Sequence, residues 1–146
     1  MELTAENLID QWKQDSIIDP SELGLEAIRV EQLHDKYWKL LAHTRRLYRQ
    51  REAKLKALRL EKFQHYTHGP SREALARGWK LPPSGKILKN EAWEYVDADP
   101  DVVALALECG DAKDAVDAVY EKVKMIAFRG NRISDAIKDM LFKHGK

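Results

Sequence analysis

The chain has 146 residues, 44% of them apolar and 34% charged, with a formal net charge of +1. That length suits one domain, or one domain with a helical arm, and the charged share is typical of long helices with two wet faces. A near-zero net charge excludes a whole-chain bias toward acidic or basic partners, and a single cysteine, Cys109, excludes an intrachain disulfide framework and suits a reducing compartment.

Charge is nevertheless segregated. Residues 1–35 hold nine acids and two bases, residues 36–62 ten bases and two acids, residues 97–121 eight acids and one base, and residues 122–146 seven bases and two acids. Blocks of opposite sign steer association between molecules or between subunits. The N-terminus, MELTAENLIDQW, is acidic and has no continuous apolar stretch, which argues against a signal peptide. No segment approaches the ~20 apolar residues of a membrane span.

In chain order, residues 4–16 predict a short helix with Thr4 as N-cap and Leu8, Ile9 and Trp12 on one face. Asp19-Pro20-Ser21-Glu22 reads as the next helix start: a capping carboxylate, a proline at the first helical position and a capping-box glutamate. A second helix is predicted over 20–66, with a heptad-like seam at 23, 27, 30, 33, 37, 40, 41, 44, 47, 48, 55 and 58, counting Thr44; Arg51 interrupts it. Such a helix is roughly 70 Å long and cannot bury its seam alone, so it must fold back on another helix or pair with another subunit. His68-Gly69-Pro70-Ser71 ends it, and residues 71–78 allow one further turn or two. Residues 79–86 read as a loop, Ile87–Val96 as a short strand or extended arm, and Asp99-Pro100 as another helix start. Gly110 caps or interrupts that helix, residues 111–143 are helical, and Gly130 is a candidate bend. The fold class is all-α: a short N-terminal helix, one very long helix, an irregular middle segment and C-terminal helices, assembled as an oligomeric bundle or ring.

Signatures of enzymatic phosphate binding, dinucleotide binding, zinc binding or acyl transfer are absent from the sequence, and the carboxylates have no distinctive apolar setting. His65 and His68 share a helical face but lack further ligands for a metal. No cofactor, metal or catalytic residue is expected, and Cys109 reads as a small buried hydrophobe.

The informative feature is the second half of the long helix. Arg45, Arg46, Arg49, Arg51, Lys54, Lys56, Arg59 and Lys62 lie within eighteen residues and surround most of the circumference outside the Leu47–Leu55–Leu58 seam. Such cations bind closely spaced phosphates through counterion release, and Tyr48, Phe63, Tyr66 and Trp79 offer flat faces for unpaired bases. Two readings stay open on charge alone: a single-stranded nucleic-acid surface, or an electrostatic match with the acidic segments 1–35 or 97–121, within the chain or across subunits. The same aromatics read first as core or interface residues and only second as stacking platforms. A duplex-binding regulator is disfavoured, because no short helix-turn-helix surrounds the basic helix and a basic-region zipper places its heptads after the basic block.

Three regions resemble the UvsY recombination mediators of large tailed phages. Leu8, Trp12 and Ile17-Ile18-Asp19-Pro20-Ser21-Glu22-Leu23 look like the family's short helix and the opening of its long helix. Ala57-Leu58-Arg59-Leu60-Glu61-Lys62-Phe63 to Tyr66 is similar to its basic stretch. Arg129-Gly130, Ile133, Ile137, Asp139-Met140, Phe142 and Gly145-Lys146 look like its C-terminal helix. The family's two close-set basic residues carry over as Arg59 and Lys62, here with Leu60 and Glu61 between them.

The resemblance implies a non-enzymatic protein that binds single-stranded DNA and helps a RecA-like recombinase load onto strands covered by single-strand-binding protein, in the cytoplasm of an infected bacterial host. It also implies a homo-oligomeric ring of about six or seven subunits. The expected division is 1–66 as helical arm and basic DNA-binding helix, 67–98 as connector, and 99–146 as oligomerisation region. Arg45, Arg46, Arg49, Lys54, Lys56, Arg59 and Lys62 are the expected DNA contacts, and Ile133, Ile137, Met140 and Leu141 the expected oligomer contacts.

Overall fold

The computed structural model describes the backbone of residues 5–145 and side chains from residue 7, so the expected cap Thr4 lies outside the described residues. Within them the chain is all-α, with five helices and no strand: α1 (Ala5–Asp15), α2 (Leu23–His68), α3 (Arg72–Ala76), α4 (Lys89–Ala98) and α5 (Pro100–His144). Two compact units form, one from Met1–Arg46 with Lys113–Lys146, the other from Leu47–Ala112.

The first unit buries the seam of α2 inside one chain. Leu33, Tyr37 and Leu41 pack with Leu8 of α1 and Val119, Val123 and Ile126 of α5. Their spacings of three and four put each set on one helical face. Tyr37, Leu41, Val119 and Ile126 are fully buried, each contributing roughly 1.5–3 kcal/mol relative to exposure. Of the two ways the sequence leaves to bury the seam, its part in this unit folds back on α1 and α5 of the same chain. Ile9 also departs from expectation: it lies 100° round the helix from Leu8 and is exposed.

Polar groups fix α1 on this core. The Tyr37 hydroxyl donates to Asp15 Oδ2 at 2.9 Å, Lys36 Nζ pairs with the same oxygen at 2.8 Å, and Trp12 meets the Tyr37 ring edge-on. Burial, with the Asp15 carboxylate beside it, pushes the Tyr37 phenol well above its ordinary value. Arg29 donates to the Asp15 and Ile17 carbonyls, and Arg129 also reaches Asp15 O. Two cations thus serve carbonyls that the end of α1 leaves unpaired.

The start of α2 differs in detail from the sequence reading. Asp19 Oδ1 accepts from the Ser21 amide and hydroxyl, making a turn over Pro20 and Ser21, and the helix begins at Leu23. The reciprocal bond to the Asp19 amide comes from Glu26, one turn beyond the expected Glu22. At the other end Gly69, at φ 92°, donates its amide to His65 O, the left-handed cap a glycine supplies without strain.

The second unit gathers the remainder of α2, α3, α4 and the first part of α5 around Tyr66, Ile87, Ala92, Val96 and Val102. Its chain trace is pinned where the Ile87 amide donates to Tyr66 O at 2.8 Å. The segment expected as a strand is α4. Ala92 and Val96, four apart, are its buried stripe, while the aromatics that suggested a strand, Trp93 and Tyr95, are partly exposed. Beyond it α5 runs unbroken from Pro100, with Gly110 inside it rather than capping it. An interior glycine costs about 1 kcal/mol, outweighed by a buried stripe through Val102, Cys109, Ala112, Val119, Val123, Ile126 and Ile133. Cys109 is buried as expected, and burial raises its thiol.

Candidate nucleic-acid interface

The basic residues of α2 fall into two groups with different surroundings. Arg46, in the first unit, and Arg49 and Lys54, in the second, are exposed and make no ion pair among the described residues. Lys56 is exposed and reaches only Glu52, at 3.4 Å, an i,i+4 surface pair worth a few tenths of a kcal/mol. Glu52 also accepts from the Tyr48 hydroxyl, and these two bonds hold its carboxyl below the ordinary value. Arg45 is half-buried, its guanidinium 5.9 Å from the Tyr120 ring centroid. Arg51, which interrupts the seam, is half-buried and partnered.

Further along α2 the cations are consumed. Arg59 pairs with Asp97 through Nε at 3.2 Å and Nη2 at 3.1 Å. Lys62 is 2% exposed, with Nζ 3.2 Å from Asp99 Oδ2 and 2.8 Å from Asp101 Oδ2. Its ammonium is also 3.8 Å from the Trp79 ring centroid. This removes Lys62 from the expected set of solvent-facing DNA contacts: exposing it would leave a buried carboxylate without its counter-charge.

Asp99 shows why. It ends α4 with extended backbone and starts α5 by accepting the Asp101 and Val102 amides on Oδ1. Its other oxygen accepts from the Tyr66 hydroxyl at 2.6 Å and from Lys62. Burial alone would raise the carboxyl; the bonds from Tyr66, Lys62 and the backbone outweigh it and hold it below the ordinary value. Burial and the same carboxylate push the Tyr66 phenol up. The acidic block that starts at Asp97 thus neutralises Arg59 and Lys62, the last two Lys/Arg residues of α2, within the chain, one of the two readings the charge pattern left open.

The expected stacking aromatics are occupied. Tyr66 is buried, Tyr48 is bonded to Glu52, Phe63 is partly buried, and Trp79 lies under Lys62 and Arg77. Trp93, absent from the expected set, is 42% exposed with Phe63 stacked 4.4 Å away. The strand-like reading of its segment hid it.

His65 is buried with Nε2 donating to Lys80 O at 3.1 Å, and among the described residues its Nδ1 has no hydrogen-bond partner. His68 Nδ1 instead meets the Thr67 hydroxyl. Both line a cavity of about 550 Å³ with Glu61, Glu73, Arg77 and Trp79, but among the described residues no group of histidine, cysteine or carboxylate side chains is placed to hold a metal ion.

The expected oligomer contacts divide as well. Ile133 is buried within its own chain, 3% exposed, because it continues the α5 stripe. It is thus part of its own chain's core and not of the exposed C-terminal surface. Ile137 is half-buried, while Met140 and Leu141 are exposed, as is Phe142.

A family model described as "Recombination, repair and ssDNA binding protein UvsY" matches residues 11–146. Among solved structures, the bacteriophage T4 recombination mediator protein UvsY in one lattice superposes with a TM-score of 0.80 at 22% identity, covering 99% of this chain and 100% of that one. In a second lattice the values are 0.79 and 19%, covering 97% and 99%. At these identities the likeness speaks to the fold. No curated protein sequence matches the chain.

Proposed function

This chain belongs to the UvsY family, and on that premise we propose that it is a recombination mediator that binds single-stranded DNA and promotes loading of a RecA-like recombinase onto strands covered by single-strand-binding protein. The reading places it in phage recombination, replication and repair, in the cytoplasm of the infected host, acting by binding rather than catalysis. No described helix is long and apolar enough to cross a membrane.

The observation that carries the DNA assignment is that Arg46, Arg49 and Lys54 are exposed and make no ion pair among the described residues, with Lys56 only loosely paired. Releasing counterions from these groups costs no intrachain bond. Arg45 contributes from its flank. Arg59 is a secondary contact that first gives up Asp97, and Lys62 holds the α4–α5 junction instead of DNA. The division proposed is 1–66 for DNA binding, 67–98 as connector and 99–146 for assembly, with Met140 and Leu141 as contacts between copies and Ile137 beside them. A homo-oligomer of about six or seven subunits would multiply weak phosphate contacts through effective concentration.

Fluorescence anisotropy with a labelled single-stranded oligonucleotide between ~0.05 and ~0.2 M salt tests this directly. Affinity should fall steeply with salt, and light scattering should show an assembly that Met140→Glu/Leu141→Glu dissociates. No binding at the lowest salt would leave the runner-up, a helical scaffold without a nucleic-acid role. The neutralisation of Arg59 and Lys62 by Asp97, Asp99 and Asp101 favours that alternative locally, but it does not extend to Arg46, Arg49 and Lys54.

A further inference from the structure

Trp93 sits on α4 in a setting the core does not explain. Ala92 and Val96 already form the buried stripe of that helix. Tryptophan is usually highly buried, yet Trp93 leaves 42% of its surface exposed. Its neighbours are on α2: Phe63 stacks 4.4 Å away with ring planes 24° apart, and the Arg59 guanidinium lies 5.0 Å from its centroid. Arg59 and Phe63 are four residues, about one turn, apart, so the indole lies against one strip of α2 while much of its surface stays open.

We infer that Trp93 is a stacking platform for an unpaired nucleobase of a single strand whose phosphates lie on the α2 cations; the inference rests on the single-strand-binding reading above. Charge selects a base over a phosphate at this spot. Around Trp93, α4 carries exposed Glu91, Glu94 and Asp97 against the single exposed Lys89, with Asp97 paired to Arg59, so the balance on this helix is acidic and disfavours a phosphate. Lys56, one helical turn before Arg59 on α2, is exposed and only loosely paired, and it offers a positive surface for the phosphates. A strand tracking α2 would keep its backbone there and reach the indole only with an uncharged base. Phe63 and Arg59 hold the ring in place beforehand, so stacking costs little ordering of the protein side. Every base has a π-face, so the contact is tolerant of sequence and lost on a duplex, whose bases are already stacked.

The test compares two oligonucleotides of equal length and phosphate number, one of thymidines and one abasic, by anisotropy with wild type, Trp93→Phe and Trp93→Leu. The leucine can still pack on Phe63 but has no aromatic face. Wild type should prefer the thymidine strand by about tenfold. Trp93→Phe should keep most of that preference. Trp93→Leu should lose it, with unchanged affinity for the abasic strand, unchanged salt slope, and unchanged mass by light scattering. Equal binding of both strands by wild type, or a preference that survives in Trp93→Leu, would overturn the platform while leaving phosphate binding intact. A change of mass in Trp93→Leu would assign the ring to a contact between copies. Binding of neither strand by wild type would overturn the single-strand reading and the platform with it.

Discussion

Within the first unit the apolar residues of α2 at 33, 37 and 41 meet α1 and α5, and the bonds from Tyr37, Lys36 and Arg29 lie at the margin of that core. Within the second unit the same helix contributes Leu55, Leu58, Phe63 and Tyr66, but a buried lysine stands among them and needs two carboxylates and an indole. One unit is held by close packing of hydrocarbon, the other by a smaller core and a satisfied polar junction. The consequence for function is that positive charge on α2 is not one property. Lys62, buried against the acidic segment, is structural, while Arg46, Arg49, Lys54 and Lys56 stay exposed.

The contrast can be broken at its strongest point with Leu41→Ala. The side chain is fully buried, and the change should cost about 2–5 kcal/mol, read as a lower urea midpoint. A loss well under 1 kcal/mol would mean that the first unit is not held by its packed core.

Lys62→Met should come next, at about 3 kcal/mol, because it leaves buried Asp99 without its ammonium. A stability equal to wild type would show that Tyr66 and the backbone amides suffice to hold that carboxylate.

The junction should also titrate. The Asp99 carboxyl is held below its ordinary 3.8, so its contribution is present above that value and disappears as pH falls through the lower folded-state pKa. Urea unfolding followed from pH 6 to pH 2.5 should show this loss in wild type and much less of it in Asp99→Asn, which has no carboxyl to protonate. Parallel pH profiles would remove Asp99 as the acid-sensitive group.

Gly69→Ala should have the smallest effect, about 1 kcal/mol, because φ is +92° and an added Cβ would stand 3.1 Å from Lys86 Cε. An unchanged midpoint would show that the end of α2 relaxes freely.

Much of the architecture was legible because its signals are local and repeated. The α2 seam, the Gly69-Pro70 stop and the Asp99-Pro100 start are written in spacing and capping chemistry, and the structure places each within a few residues of its expected position. What covers the seam was not legible, since periodicity shows that a face is apolar without naming its partner; Leu33, Tyr37 and Leu41 share one core with Val119, Val123 and Ile126 from the far end of the chain. Nor was the fate of Lys62. Its neighbours in sequence mark it as one more surface cation, and only folding brings Asp99 and Asp101 to it. Trp93 was hidden by its own β-propensity, which outweighed the 92–96 spacing in so short a segment. For the oligomer contacts, Ile133 and Ile137 look alike in sequence, yet one completes a core stripe and the other is half-exposed.

The central claim, that exposed cations of α2 bind phosphate while Lys62 does not, is tested most directly by the salt dependence of single-stranded DNA binding in two variants. Arg49→Ala/Lys54→Ala/Lys56→Ala removes three exposed charges and should flatten the slope of log affinity against log salt by about two, at ~0.7 per phosphate contact. Lys62→Met, assayed under conditions where it remains folded, should leave that slope at the wild-type value. A flattened slope in Lys62→Met with an unchanged slope in the triple variant would contradict the account.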